Sequence, residues 1–252
     1  MIADILTVMW KERKGLLRHQ GSLRTTVFTL FTPVVMLGIF LPWQEGREWV
    51  SSPLPLMVSG LIPALLVGMR IPDSFAGERE RHTLATLLAS RLPDRAILLG
   101  KVAMAVCWGW GVTLAVLLLG LVTVNVAHWE GRVLLYSPTI GLAGVGLGLL
   151  AALFVAGLGV LISLRSATVQ GAAQTLIFAV LAGPMLLSLI LGSFILAGPD
   201  GKERLGKLLV KLVVTLGSTQ SMIIITAVVV LIDLGLLAVA MARFQRARLI
   251  LD

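Results

Sequence analysis

An all-α, polytopic membrane protein with six transmembrane helices is the fold class this sequence predicts, and three observations predict it. First, charge is nearly missing from six long stretches. None of Asp, Glu, Lys or Arg stands between Arg24 and Glu45, Glu48 and Arg70, Lys101 and Glu130, Arg132 and Arg165, or Arg165 and Asp200, and Leu212 to Ala242 holds only Asp233. A bilayer core is about 30 Å thick and takes roughly 20 apolar residues to cross as a helix. Second, hydrophobic residues make up 57% of the 252 and mean hydropathy is +0.96, more apolar surface than a soluble domain of this size can hide. Third, the basic residues favour alternate connections. With the N-terminus inside, the inner segments 1–24, 70–101, Arg165 and 243–252 carry 15 of the 21 Lys and Arg. The excess predicts a multi-pass protein of the inner (plasma) membrane with both termini cytoplasmic.

The net charge of +8 and pI near 10.6 would suit a nucleic-acid binder in a soluble chain. In a chain this apolar the same charge orients the protein and meets anionic headgroups, so membrane lipids are the expected contact and nucleic acid is not. The single cysteine, Cys107, lies inside the third apolar stretch and makes neither an internal disulfide nor a metal cluster. The first 24 residues mix charged and apolar positions, unlike a cleaved signal peptide, and are expected to be retained.

The elements follow in order. Residues 2–19 predict an interfacial helix: Ile2, Ile5, Leu6, Met9, Trp10, Leu16 and Leu17 share a face, with Lys11, Arg13, Lys14 and Arg18 toward headgroups. A soluble cytoplasmic helix is the other reading. Gly21-Ser22 then breaks it. Span one covers about 25–43, with Pro33 inside it and Pro42-Trp43 at its outer end. Span two covers about 54–69; Pro53, Pro55 and Pro63 predict a kink or break, because proline lacks the backbone donor and crowds the preceding turn. Span three covers about 102–126. Span four, about 135–164, is rich in glycine, and Gly144 with Gly148 forms a small-xxx-small pair that lets helix backbones approach closely. Span five, about 167–196, is expected to be interrupted at Gly183-Pro184. Span six covers about 218–242. Before it, in the outer segment 199–216, Leu205, Leu208, Leu209 and Leu212 fall on one helical face with Lys207 and Lys211 off it, which predicts a short amphipathic helix.

The most specific stretch is the inner loop, 75–100. Thr83 is expected to cap a short helix whose Leu84, Leu87 and Leu88 make one apolar face, and Asp94 to cap the next, which runs through Ala96–Leu99 into span three. The acidic Glu78 and Glu80 precede it, alternating with Arg79 and Arg81. A short leucine-faced helix hung among charges suits docking into a groove on a soluble partner. A membrane-surface loop without a partner fits the same residues.

The order of these features, from Glu78-Arg-Glu-Arg81 through Thr83-Leu84 and Leu87-Leu88 to Leu98-Leu-Gly-Lys101, resembles the loop between spans two and three of ABC-2 type transporter permeases. The likeness extends to the N-terminal amphipathic helix, the six spans and the outer helical segment. The chain departs from the family's Gly-Thr-Leu-Glu, with His82 in place of the glycine and Ala85 in place of the glutamate; the proline that follows the leucines is displaced to Pro93. The resemblance implies a coupling helix that docks on an ABC ATPase subunit through Glu78, Glu80, Thr83, Leu84, Leu87 and Leu88. It also implies a second permease copy or paralogue, and ATP and magnesium held by the ATPase. A tight inner turn at Ser163-Leu-Arg165-Ser-Ala-Thr168 fits the family's short second connection.

The chain's own chemistry is sparse. Gly100-Lys101 is followed by Val102, and Arg95 stands where a phosphate-cradling loop needs its first glycine. His19, His82 and His128 are isolated, and there is no HExxH or GxSxG. No cofactor is expected in this chain, and no ATP hydrolysis by it. Asp233, ten residues before Arg243 and so about 15 Å into span six, is the one acid deep in a span. Its possible roles are a structural polar contact, with Gln170 and Gln174 as plausible partners, a proton site, or cation contact in a pathway. The resemblance thus implies the permease subunit of an ABC exporter. Its rivals are an ion- or proton-coupled secondary carrier centred on Asp233 and, less well supported, a membrane enzyme.

Overall fold

The computed structural model describes residues 1–18, 31–196, 198, 203–204, 206–207, 211 and 219–244, and every regular element among them is helical. The elements are α1 (Ile2–Arg18), a π-helical stretch (Met36–Phe40), α2 (Leu41–Glu45), α3 (Arg47–Ser51), α4 (Leu54–Arg70), a 3-10 turn (Ile71–Ser74), α5 (Ala76–Glu80), α6 (Leu84–Leu88), α7 (Asp94–Ala127), α8 (Pro138–Ser163), α9 (Val169–Leu196) and α10 (Thr219–Arg243). Five helical stretches are long and apolar enough to cross a membrane: Leu54–Glu80, Asp94–Ala127, Pro138–Ser163, Val169–Phe194 and Ile223–Arg243. The chain is a membrane-embedded helical bundle on that ground. These five match predicted spans two to six. The first part of span one and most of the outer 199–216 segment lie outside the described residues.

Span three begins earlier than its apolar run, because α7 starts at Asp94 and continues unbroken through Lys101. Asp94 is the first helical residue, following Pro93 in extended conformation, and not the cap. Ser137 starts α8, its hydroxyl accepting from the Ile140 N–H at 3.3 Å with Pro138 next in line. Neither α9 nor α4 is broken at its interior proline. α9 passes continuously through Pro184, and α4 through Pro63. Proline frees one carbonyl four residues back, and helical spans tolerate that where a neighbour takes up the slack. At Pro63 the carbonyl is that of Ser59, and Gly148 of α8 packs directly on it: a Cβ at Gly148 would lie 3.2 Å from that oxygen.

α4 is the central column, packed between α7 and α8. Small residues make this possible. A Cβ at Gly109 of α7 would come within 2.6 Å of Val67, and one at Gly159 of α8 would collide with Ile71. The buried core divides along α4 into two clusters. One holds Val67, Ile71, Phe75, Ile97, Leu98, Val160, Leu176, Ala240 and Phe244; the other holds Trp49, Val58, Ile62, Val116, Val124 and Leu134. The first lies at the end of the bundle that carries the 71–93 loop, here the loop end; the second lies toward the far end. At the far end the Trp49 indole N–H donates to the Tyr136 oxygen at 2.8 Å, and the Tyr136 O–H donates to the Leu117 carbonyl at 2.9 Å.

α1 lies against α7 at the loop end. Val8 is buried, and Gly100 admits it: a Cβ there would meet Val8 Cβ at 2.6 Å. Ile2, Leu6 and Trp10 remain exposed on the opposite side. Phe244, just past α10, also returns to the loop end, its ring 5.0 Å from that of Phe75.

Candidate functional site

The loop between α4 and α7 is a hub whose Glu78, Arg79 and Glu80 each bond to another element. It starts from one buried hydroxyl. Ser163, the last residue of α8, accepts from the N–H groups of Phe75 (3.2 Å) and Ala76 (3.0 Å) and donates to the Pro72 carbonyl at 2.7 Å. The first turn of a helix has N–H groups with no partner of their own, so Ser163 nucleates α5 from across the fold. Gly77 follows because there is no room for more: a Cβ there would strike the Asp73 carboxylate.

α5 then sends its charges in four directions. One carboxylate oxygen of Glu78 accepts from Lys101 at 2.9 Å and from Lys11 at 3.1 Å, and Lys101 also reaches Glu12 at 2.8 Å. The Lys101 and Glu78 side chains are 2% and 8% exposed, so this is a buried pair that ties loop, α1 and α7 together. Arg79 donates to the carbonyls of Ser166 (2.7 Å) and Leu164 (3.0 Å), just past α8. Glu80 accepts the Val169 N–H at 3.1 Å, at the start of α9. A cation at a helix C-terminus and an anion at an N-terminus are the favourable pairings with the helix dipole. Adjacent residues thus clamp both ends of the 164–168 connection. Arg81 closes back on Asp73 at 2.9 Å, and that hydrogen bond holds its guanidinium proton more firmly than usual.

Several expectations about docking residues change. Glu78 and the leucine face were expected to meet a partner, but Glu78 is buried in the ion cluster and Leu87 is 8% exposed, within the chain's own core. Leu84 packs against the same core, and the side chain of Leu88 lies outside the described residues. Glu80 is exposed but engaged with α9. Thr83 does not cap α6: its hydroxyl donates backward to the Glu78 carbonyl at 3.3 Å. α6 forms at 84–88 nonetheless, and turns Ala85 and Thr86 outward, with Thr83 before it and Ala89 and Arg91 after it also exposed. His82, just before it, has φ +55°, the left-handed conformation that favours glycine.

The intramembrane candidates do not meet. Asp233 is 2% exposed, and neither carboxylate oxygen has a hydrogen-bond partner among the described residues. α10 packs on α8, where Leu236 fills the space over Gly157. Gln170 and Gln174 are exposed in the first turns of α9, near the loop end. Asp233 stands eleven residues before Phe244, about 16 Å from that end. The residues that sequence reasoning missed are Lys11, Glu12, Arg79, Lys101 and Ser163. A lysine at the mouth of an apolar run, Lys101, was the one visible signal. No family model matches this chain, and no curated protein sequence matches it.

Proposed function

We propose that this chain is the permease subunit of an ATP-binding-cassette exporter of the ABC-2 type, working as a pair on two copies of a separate ATPase. It binds no cofactor itself in this reading; ATP and magnesium belong to the ATPase. The observation that carries the proposal is the double clamp of Arg79 and Glu80 on the 164–168 connection. A push on α6 passes through α5 to the ends of α8 and α9 by charge-assisted hydrogen bonds, a short and stiff linkage between a surface helix and two spans. The left-handed His82 adds to it, since the resembled family has glycine at that position. Docking is reassigned to the outward face of α6, with Ala85 and Thr86 at its centre.

Parity supports a sixth crossing beside the five apolar helices. α1 and Phe244 both sit at the loop end, while α4 starts from the far end beside Trp49. In this reading the chain between Arg18 and Trp49 crosses once more, as span one. With the positive-inside excess, the loop end is cytoplasmic. α9 and α10 expose most of their apolar side chains, including Phe178, Leu189, Ile224 and Leu231, as surfaces for lipid or the second permease.

The test is co-purification with the cassette ATPase. Thr86→Trp places bulk on the docking face without entering the core, so the ATPase is expected to dissociate while the permease melts as before. An intact, stimulated complex would overturn the assignment. A second reading, an ion- or proton-coupled carrier, is favoured by one feature, the unpartnered Asp233; transport by the purified permease without ATP would decide for it.

A further inference from the structure

A cavity of about 330 Å³ opens at the loop end between α1, the end of α4 and α7, and the clamp does not use it. Its lining carries both signs of charge. Lys11, Arg70, Arg81 and Lys101 supply the cations, and Glu12, Asp73 and Glu78 the carboxylates. One wall is apolar, made by Met104 and Ala105 of α7. Two residues of the lining each keep a buried polar atom with no hydrogen-bond partner among the described residues: the second carboxylate oxygen of Glu78, the first being held by both lysines, and the indole N–H of Trp108. An unmatched buried acceptor and donor each cost about 1–3 kcal/mol, so a cavity that keeps both is shaped for something that pairs with them.

The occupant must bring a donor to Glu78 and an acceptor to Trp108. It must tolerate cations and anions together, so it is zwitterionic. It must also have an apolar portion, because the lining changes along α7 from Lys101 through Met104 and Ala105 to Trp108, about 10 Å at 1.5 Å per residue. That is the order of groups met on passing from headgroup into hydrocarbon. Exposed Ile2, Leu6 and Trp10 place α1 in that same layer.

We propose that this cavity is a binding site for a phospholipid with a primary-amine headgroup, its ammonium on Glu78, its phosphate among the lysines and arginines, and its ester oxygen on the Trp108 N–H. The site pins α1 to the bundle through lipid as well as through Val8. It stands whether or not an ATPase drives the protein, since no contact in it involves α6.

The test uses the full chain, purified in detergent, stripped of lipid and incubated with phosphatidylethanolamine or phosphatidylcholine, with retained lipid read by native mass spectrometry. Phosphatidylethanolamine is expected to be retained about tenfold better, because the trimethylated headgroup has no N–H for Glu78. Trp108→Phe keeps the ring and removes the donor, and is expected to reduce retention by a similar factor with an unchanged melting temperature. Ala105→Phe fills the cavity from its apolar wall and is expected to abolish retention. Displacement by millimolar phosphoethanolamine would keep the aminophosphate chemistry and assign a soluble source. Equal retention of both lipids untouched by either substitution, or no retention at all with the cavity holding only water, would overturn the proposal.

Discussion

Lys101 shows how one residue binds three elements. It sits where α7 passes from the charged loop into apolar sequence, with its ammonium between Glu78 and Glu12 and 5.4 Å from the Phe75 ring. Removing one member of a buried pair leaves the other charge unpaired, at a cost of about 3–5 kcal/mol. Lys11 still reaches Glu78 but its side chain is 56% exposed, so Lys101→Met should destabilise toward the lower end of that range. In detergent melts the double variant Lys101→Met/Glu78→Gln should lose less than the two single losses added together. Strict additivity would mean that the pair does not interact. His82 makes the opposite case. A side chain in the left-handed region costs about 1–2 kcal/mol, part of which glycine gives back through its greater freedom when unfolded. His82→Gly should therefore raise stability by about 0.5–1 kcal/mol, seen as a higher melting midpoint; a lower midpoint would mean that the imidazole makes a contact worth more than the strain.

At the scale of elements, the five apolar helices were legible because length and hydropathy alone define them. The existence of α6 was legible too, from the leucine spacing before Pro93. Its orientation was not: a leucine stripe serves equally to dock outward or to seal inward, and only the placement of the surrounding core decides. The clamp was illegible for a related reason. Arg79 and Glu80 find partners more than 80 positions away, and those partners are backbone groups, which carry no signature in side-chain pattern. Pro184 misled because a helix break is read from the missing donor, whereas within a membrane the alternatives to a helix leave far more groups unpaired. The clamp itself predicts a separation of docking from coupling. Arg79→Ala removes the hold on α8 but leaves the face of α6 untouched. The ATPase should still co-purify, while permease-stimulated ATP turnover falls about tenfold, the size of a typical coupling free energy. Full stimulation in Arg79→Ala would show that force travels by another route.

For the whole molecule, the balance of polar groups separates the two transport mechanisms. Charge is concentrated at the loop end, where each acid of the 73–80 stretch has a base or a helix terminus to meet. Along the spans between the two ends, Asp233 is the one buried carboxylate among the described residues. An ion-coupled carrier needs groups that hold the ion in turn as the pathway opens to either side, and Gln170 and Gln174, the polar residues expected to help, lie near the loop end instead. A permease driven from outside needs no such relay. Its bundle needs tightly packed columns, and α4 is closely seated on glycines of α7 and α8. Asp233→Asn decides between them. It removes a carboxylate that lacks partners among the described residues, so the bundle should melt no lower than before and ATP-driven export should continue at close to its original rate. If export stops while the melting temperature and ATPase docking hold, the carboxylate itself carries protons or ions, and the work attributed to the clamp belongs to an electrochemical gradient.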